Sequence, residues 1–231
     1  MPLEIEGTYL SRCTPDPNTS EITVPEGVKT IGYRAFANCP QLRSLILPAS
    51  LRQIEDHALD QCSLLESLTI PQRVRMIGTS AFFRRTVLHF RTGTTALTVP
   101  RRSSGQDSGD AGMLAQILHS KNPTELPQLF RALQTFEFRT TAAVWLMQSE
   151  KPQCAADWLT QNMQNVLELY LTEQSINMLH LLLNTKMLSE KALETAISGA
   201  IEKGDHEVYM MLVNHKQDAF GITEGSGTFR L

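Results

Sequence analysis

One sequence phrase occurs three times in this chain, at a fixed interval of 23 residues. It reads VPEGVKTIGYRAFANCPQL from Val24, LPASLRQIEDHALDQCSLL from Leu47 and IPQRVRMIGTSAFFRRTVL from Ile70. A period in the 20s is typical of solenoids, in which each unit buries its apolar face only against its neighbours. We therefore expect the first hundred residues to form a solenoid of about four coils.

Apolar residues occupy equivalent positions in all three copies, which predicts that like side chains stack from coil to coil in a continuous core. The columns are Ile22, Leu45 and Leu68; Val24, Leu47 and Ile70; Val28, Leu51 and Val74; Ile31, Ile54 and Ile77; Ala35, Ala58 and Ala81; Phe36, Leu59 and Phe82; and Leu42, Leu65 and Leu88. A partial fourth copy at residues 97–100 arrives after 29 residues, which predicts either a short insertion near residues 92–95 or an irregular end.

Each copy contains two short extended stretches and a segment compatible with a turn of helix. In the first stretch Leu45 and Leu47 alternate with Ser44 and Ile46, the period of two that favours a strand. The proline that follows ends this strand, because it cannot donate to a ladder. A second extended stretch is predicted around residues 28–31 and their equivalents, and the helical turn around the Ala-Phe…Cys segment.

The string I-x-V-P-E-G-V-K-x-I-G-x-x-A-F-x-x-C-x-x-L resembles the BspA-like leucine-rich repeats, which are found largely in bacteria and some protists. The resemblance covers about residues 20–100, and residues 4–10 are similar to the hairpin that often opens such arrays. Leu59 and Arg85 depart from the pattern, which suggests that the third copy frays. The resemblance implies ligand or protein binding, commonly at cell surfaces, and no chemistry.

The run RRSSGQDSGDAG at residues 101–112 has no large apolar residue and is rich in Ser and Gly, which predicts a flexible linker. After it, strand signals do not return. The fold class predicted is therefore α+β with two domains, a leucine-rich-repeat β-solenoid with an N-terminal hairpin cap (1–100) and an all-α domain (113–216), followed by a loose tail (217–231).

The α-helical domain reads as short amphipathic helices. They are predicted from residue 113, from 122–125, over 140–148, 154–162, 166–171 and 176–183, from 189 to a stop at Gly204, and from Asp205 onward. Residues 189–216 resemble an ankyrin-type helix pair but lack the Thr-Pro-Leu-His signature, so an ankyrin-like array and a generic helical array both remain open. His180, on the apolar stripe of its helix, is expected to be a hydrogen-bonded core residue.

No catalytic motif, cofactor fingerprint or metal-ligand spacing is found, so we expect neither an enzyme nor a bound metal or cofactor. His206-Glu207 begins like a zinc-protease motif, but Met210 stands where the second histidine is required. Cys39 and Cys62 share a repeat position, which predicts stacked, buried and reduced thiols, with a disulfide or metal pair as the alternative. Cys13 and Cys154 are expected to be isolated.

Charge and hydropathy exclude two classes of partner. The formal net charge of −3 disfavours binding to nucleic-acid phosphates, and no apolar stretch is long enough to span a bilayer. The first residues lack a signal-peptide pattern, so the chain as given is expected to be cytoplasmic, or secreted if a leader has been trimmed.

One charged column, which we name the basic ladder, is formed by Lys29, Arg52 and Arg75 at the same position of the three repeats. It is the candidate partner-binding site, a docking strip for an acidic protein segment, a polyanion or an anionic glycan. The alternative is a solvated edge that discourages strand aggregation. We expect a non-catalytic protein-interaction scaffold, or alternatively a secreted or surface adhesin or effector that binds host protein or glycan.

Overall fold

The computed structural model describes residues 3–14, 16, 18–37, 39–93, 95–100, 109–148, 150, 152–173 and 175–221. In these ranges ten strands precede seven helices. The chain divides into two compact units, Met1–Trp158 and Leu159–Leu231. The first unit therefore contains three helices besides the repeats, whereas the sequence predicted a division around residues 101–112.

The repeats form a β-solenoid, as predicted. Its five-stranded sheet has the order β1 (Leu3–Glu6), β2 (Tyr9–Cys13), β4 (Thr30–Ile31), β6 (Gln53–Ile54) and β8 (Met76–Ile77). The strands β4, β6 and β8 pair in parallel, so that Ile31 lies beside Ile54 and Ile54 beside Ile77 in one buried row. The strands β1 and β2 form the expected antiparallel hairpin, and β2 pairs with β4.

A second set of strands carries the other side of each coil. It contains β3 (Glu21–Thr23) paired with β5 (Ser44–Ile46), and a sheet in the order β10 (Thr95–Val99), β9 (Val87–Thr92) and β7 (Ser67–Ile70). Ile22, Leu45 and Leu68 point inward and are buried, while Ile46 is exposed. The predicted alternation is therefore correct for this strand position.

The Ala-Phe segment forms successive hydrogen-bonded turns and no regular helix; Ala37 N, for example, donates to Arg34 O at 3.1 Å. Its backbone groups are used between coils, because Phe36 N donates to Ala58 O and Leu59 N donates to Ala81 O, both at 2.8 Å. Such bonds remove the donors that a helix would need within the segment. The chain turns here through left-handed residues at one repeat position, Arg34, His57 and Ser80, with φ of 53°, 57° and 50°.

The solenoid has about three turns and ends in a hairpin, so the expectation of four coils was wrong. β9 pairs in parallel with β7 and places Leu88 beside Leu68, so the predicted stacking of Leu88 on Leu65 is also wrong. The paired residues Leu68 and Leu88 are 20 positions apart, so this coil is three residues shorter than the 23-residue period. β10 then returns antiparallel to β9, so residues 97–100 close the array and are not a fourth repeat.

Helices α1 (Asp110–His119), α2 (Leu126–Ala132) and α3 (Phe136–Leu146) complete the first unit. α1 begins inside the predicted linker, of which residues 101–108 lie outside the described residues. The fully buried Asp110 carboxylate accepts hydrogen bonds from Gln134 N and, at 2.6 Å, from Thr135 N, which joins α1 to the start of α3. α1 packs against β8, and α3 packs against β10.

The remaining helices are α4 (Gln153–Thr172), in which the division between the units falls, α5 (Ile176–Asn184), α6 (Glu190–Lys203) and α7 (His206–Phe220). α4 replaces two predicted helices, and α7 extends four residues into the predicted tail. The predicted stop and cap between α6 and α7 are present, since Gly204 is left-handed with φ of 66° and Asp205 accepts from Val208 N.

His180 is exposed, so its predicted place in the core was wrong. The buried stripe of α5 consists of Met178, Leu179, Leu182 and Leu183. It is rotated relative to the predicted stripe, because Leu182 is buried in place of His180.

Candidate functional site

The basic ladder is a row of three exposed cations on successive coils. Arg52 N donates to Lys29 O at 2.8 Å, and Arg75 N donates to Arg52 O at 2.9 Å. Lys29 N donates in turn to Thr8 O in the N-terminal hairpin. Each residue is therefore joined to the next through the backbone, which sets neighbouring rungs at the usual interstrand spacing of about 4.8 Å.

The three side chains are free to contact a ligand. All are exposed, and among the described residues none of them contacts a carboxylate within 4.0 Å. Glu26 and Glu55 each lie three residues from a rung, and both carboxylates are engaged elsewhere. Glu26 accepts from Ala49 N at 2.9 Å and Ser50 N at 3.3 Å, and Glu55 accepts from Tyr33 N at 2.8 Å. The ladder is consequently a local surface of positive charge in a chain whose formal net charge is −3.

A groove of about 620 Å³ opens beside the last rung of the ladder. We name it the α1–α2 groove, since those helices supply most of its wall. Its lining residues are Arg75, Gln116, His119, Ser120, Glu125, Gln128, Leu129 and Ala132. The groove thus joins the charge of Arg75 to a mixed polar and apolar wall.

His119 fixes α1 to the third coil at the base of this groove. Its Nδ1 lies 2.7 Å from Ala115 O, and its Nε2 lies 2.6 Å from Gln72 O, close in sequence to Arg75. Higher in the same helix, Gly112 sits against β8, where an added Cβ would lie 2.4 Å from Ile77 O. The wall of the groove is therefore held against the repeat that carries Arg75.

The stacking of the three residues was predicted from the sequence, whereas the groove was not, and the use of the ladder for binding stays a prediction. The stacking followed from the shared repeat position, whereas nothing in the helical pattern indicates which coil α1 contacts. Gly112 was the available signal, but its neighbours Gly105, Gly109 and several serines made it read as part of a linker.

The outward face of the first strand in each coil carries mostly small polar side chains. Its outward residues are Glu21, Thr23, Ser44, Ile46, Ser67 and Thr69. Ser44 is half-buried and the others are exposed. Ile46 is 58% exposed and lies beside Thr23 in the parallel register, so it presents a single apolar side chain on a polar surface.

Three cysteines, and not two, stack inside the repeats. Cys39 and Cys62 are buried free thiols, as predicted, but Cys13 is also buried and adjoins Cys39, so its expected isolation was wrong. Cys62 Sγ donates to Phe36 O at 3.4 Å, and burial raises the pKa of the Cys62 thiol to about 12. A hydrogen bond with Cys39 and burial raise the pKa of Cys13, and the same hydrogen bond lowers the pKa of Cys39. All three side chains are buried, so we interpret them as packing groups.

Within the described ranges, no three His, Cys, Asp or Glu side chains are grouped so that they could hold a metal ion. Nor does any described helix combine the length and the apolar content required to cross a membrane.

The first unit has the architecture of a leucine-rich-repeat binding module. The matching family model, described as the BspA type leucine rich repeat region (6 copies), covers residues 11–101. That segment is therefore of the BspA type, as the sequence motif predicted. Repeats of this kind generally mediate protein–protein interaction and are typically non-catalytic. No curated protein and no solved structure matches the chain.

Proposed function

We propose that this chain is a non-catalytic protein-interaction scaffold that docks an acidic partner segment on the basic ladder. The observation that supports the proposal is the ladder itself, three exposed cations on adjacent coils with no carboxylate within ion-pair distance among the described residues. Such an array attracts an acidic surface over a distance and orients it, because complementary charge acts mainly on association rate and specificity.

The groove beside Arg75 supports the same proposal. Exposed ion pairs alone contribute little, typically about 0–1 kcal/mol each, so a specific partner also needs a site that removes apolar surface from water. Leu129 and Ala132 provide apolar wall within reach of the ladder, and Gln116 and Gln128 provide hydrogen-bonding groups.

The test is charge reversal of the ladder. We expect Lys29→Glu, Arg52→Glu and Arg75→Glu together to abolish partner binding while thermal stability stays nearly unchanged, since the side chains are exposed. The matched control reverses three other exposed arginines, Arg12 of the N-terminal hairpin and Arg43 and Arg84 of the repeats, with an identical change in net charge.

Proteins cross-linked from a lysate of the source organism would be compared among the wild type, the ladder variant and the control variant. The candidate partner is a protein that is captured by the wild type and by the control variant and is not captured by the ladder variant. The affinity of the purified partner should fall as the salt concentration rises, since charges are screened over about 8 Å at physiological ionic strength. If purified partners bind the ladder variant with unchanged affinity and salt dependence, the ladder is only a solvated edge.

A further inference from the structure

We infer that the segment recognised by the basic ladder is an α-helix with a stripe of three acidic side chains, docked along the solenoid axis with its end in the α1–α2 groove. This inference rests on the proposed function and specifies the conformation of the partner.

The spacing of the rungs favours a helix over an extended chain. Three rungs at the interstrand spacing span about 10 Å. Residues i, i+4 and i+7 of an α-helix share one face, and the outer two lie about 10.5 Å apart along the axis. Three same-face residues of an extended chain span about 13–14 Å. The outer carboxylates of a bound strand would therefore overshoot the row of three cations by about 3–4 Å.

The orientation of the ladder fits the same occupant. Its rungs follow the coil-to-coil hydrogen bonds from Thr8 through Lys29 and Arg52 to Arg75, and so they run across the strands. The backbone groups at these positions are already paired between coils, as the bond from Arg75 N to Arg52 O shows. An incoming strand would find few free partners for its own backbone there, whereas a helix satisfies its backbone internally.

The groove determines where the acidic stripe ends. Arg75 is the last cation of the row, and Glu125 lines the same groove, with its carboxylate accepting from Asn122 Nδ2 at 2.9 Å. A fourth acidic residue would meet this carboxylate. The helix should therefore continue beyond its stripe with an uncharged apolar residue, which would pack against Leu129 and Ala132.

Three peptides of matched charge test the inference. The first is an alanine-based helix with Glu at i, i+4 and i+7 and Leu at i+11; the second has the same composition with Glu at i, i+2 and i+5; the third is the first peptide with a central Ala replaced by Pro, which breaks the helix. Binding to the full chain would be followed at low salt by fluorescence anisotropy, with single-stranded oligothymidine as a polyanion of another class.

We expect the striped helix to bind about tenfold more tightly than either other peptide, a difference of about 1.4 kcal/mol. Its binding should be lost in the ladder variant and retained in the control with Arg12, Arg43 and Arg84 reversed. A fourth probe is the first peptide with Ala in place of Leu at i+11. Leu129→Ala should weaken the striped helix and leave this fourth probe unaffected, since only an apolar contact is removed.

Equal binding of the striped and proline peptides, both lost in the ladder variant, would overturn the helical conformation and leave the proposed function standing. Binding that survives in the ladder variant would overturn both. Oligothymidine binding as tight as that of the striped helix would replace the inference with a polyanion site, and the absence of measurable binding by any of the peptides would also overturn it.

Discussion

At the scale of single residues, two tyrosine hydroxyls have opposite surroundings. Tyr9 OH donates to Glu55 Oε2 at 3.0 Å and ties the N-terminal hairpin to the second coil. Tyr170 OH, in α4, is buried and has no hydrogen-bond partner among the described residues, and burial raises the pKa of this phenol. An unpaired buried hydroxyl costs free energy, whereas a paired one contributes about 1 kcal/mol.

We therefore expect Tyr170→Phe to leave the free energy of unfolding unchanged or to raise it by about 1 kcal/mol, since the ring stays and only the unpaired group is removed. Tyr9→Phe is the matched control and should lower it by about 1 kcal/mol, because the Glu55 carboxylate loses a donor. Urea unfolding of both variants measures the difference. A loss of stability in Tyr170→Phe as large as that in Tyr9→Phe would show that the Tyr170 hydroxyl is bonded in solution.

At the scale of secondary-structure elements, the contact of α1 with β8 depends on a glycine. Gly112 is the third residue of α1, where alanine would normally be preferred by up to about 1 kcal/mol. Here a Cβ would meet Ile77 O at 2.4 Å, and a backbone atom of a packed strand cannot move aside easily. The two effects have opposite signs, and the steric effect is the larger.

Gly112→Ala should accordingly destabilise the first unit by about 1–3 kcal/mol, the usual cost of overpacking. Gly199→Ala in α6 is the control, because its nearest neighbour would be Leu171 Cδ1 at an ordinary 3.8 Å. It should stabilise by up to about 1 kcal/mol through helix propensity alone. Thermal and urea unfolding distinguish the two, and stabilisation by both substitutions would mean that α1 does not pack on β8 at this position.

Elements were predicted from the sequence where neighbouring copies repeat one another. Ile31 and Ile54 stack because both sit at the same place in a 23-residue period, and the basic ladder follows from the same regularity. The prediction failed where the period changes, since Leu88 pairs with Leu68 in a coil shorter than 23 residues. No residue in this stretch indicates from the sequence that the coil is shorter. Docking of α1 depends on tertiary shape, which periodicity does not encode.

At the scale of the molecule, the compact unit that contains the repeats extends beyond residue 100. Unit 1 includes helices α1, α2 and α3, and its end coil is in contact with α1 through Gly112 and His119. Solenoids need a cap at each end, since a terminal coil otherwise exposes the apolar surface that a neighbour would bury. In this unit the β1–β2 hairpin occupies one end, and the helices take that role at the other.

A fragment of residues 1–148 should therefore unfold cooperatively, whereas a fragment of residues 1–100 should not. We expect the shorter fragment to melt more than about 10 °C lower, as the loss of 2 kcal/mol or more would produce in a domain of this size. It should also bind a dye specific for exposed apolar surface. Circular dichroism melts of both fragments measure this, and equal melting temperatures would restore the domain limit predicted at residue 100.

The backbone bonds that join Lys29, Arg52 and Arg75 also make the repeat a unit of length. Each coil adds one cation at a fixed increment, and each coil depends only on the coils beside it. Duplication or loss of a single 23-residue copy would lengthen or shorten the charged row by one rung and leave the remaining rungs in place. The length of the charged row is therefore set by the number of repeats. Gain or loss of a gene segment that encodes one repeat would change this length without altering the contacts within the remaining repeats.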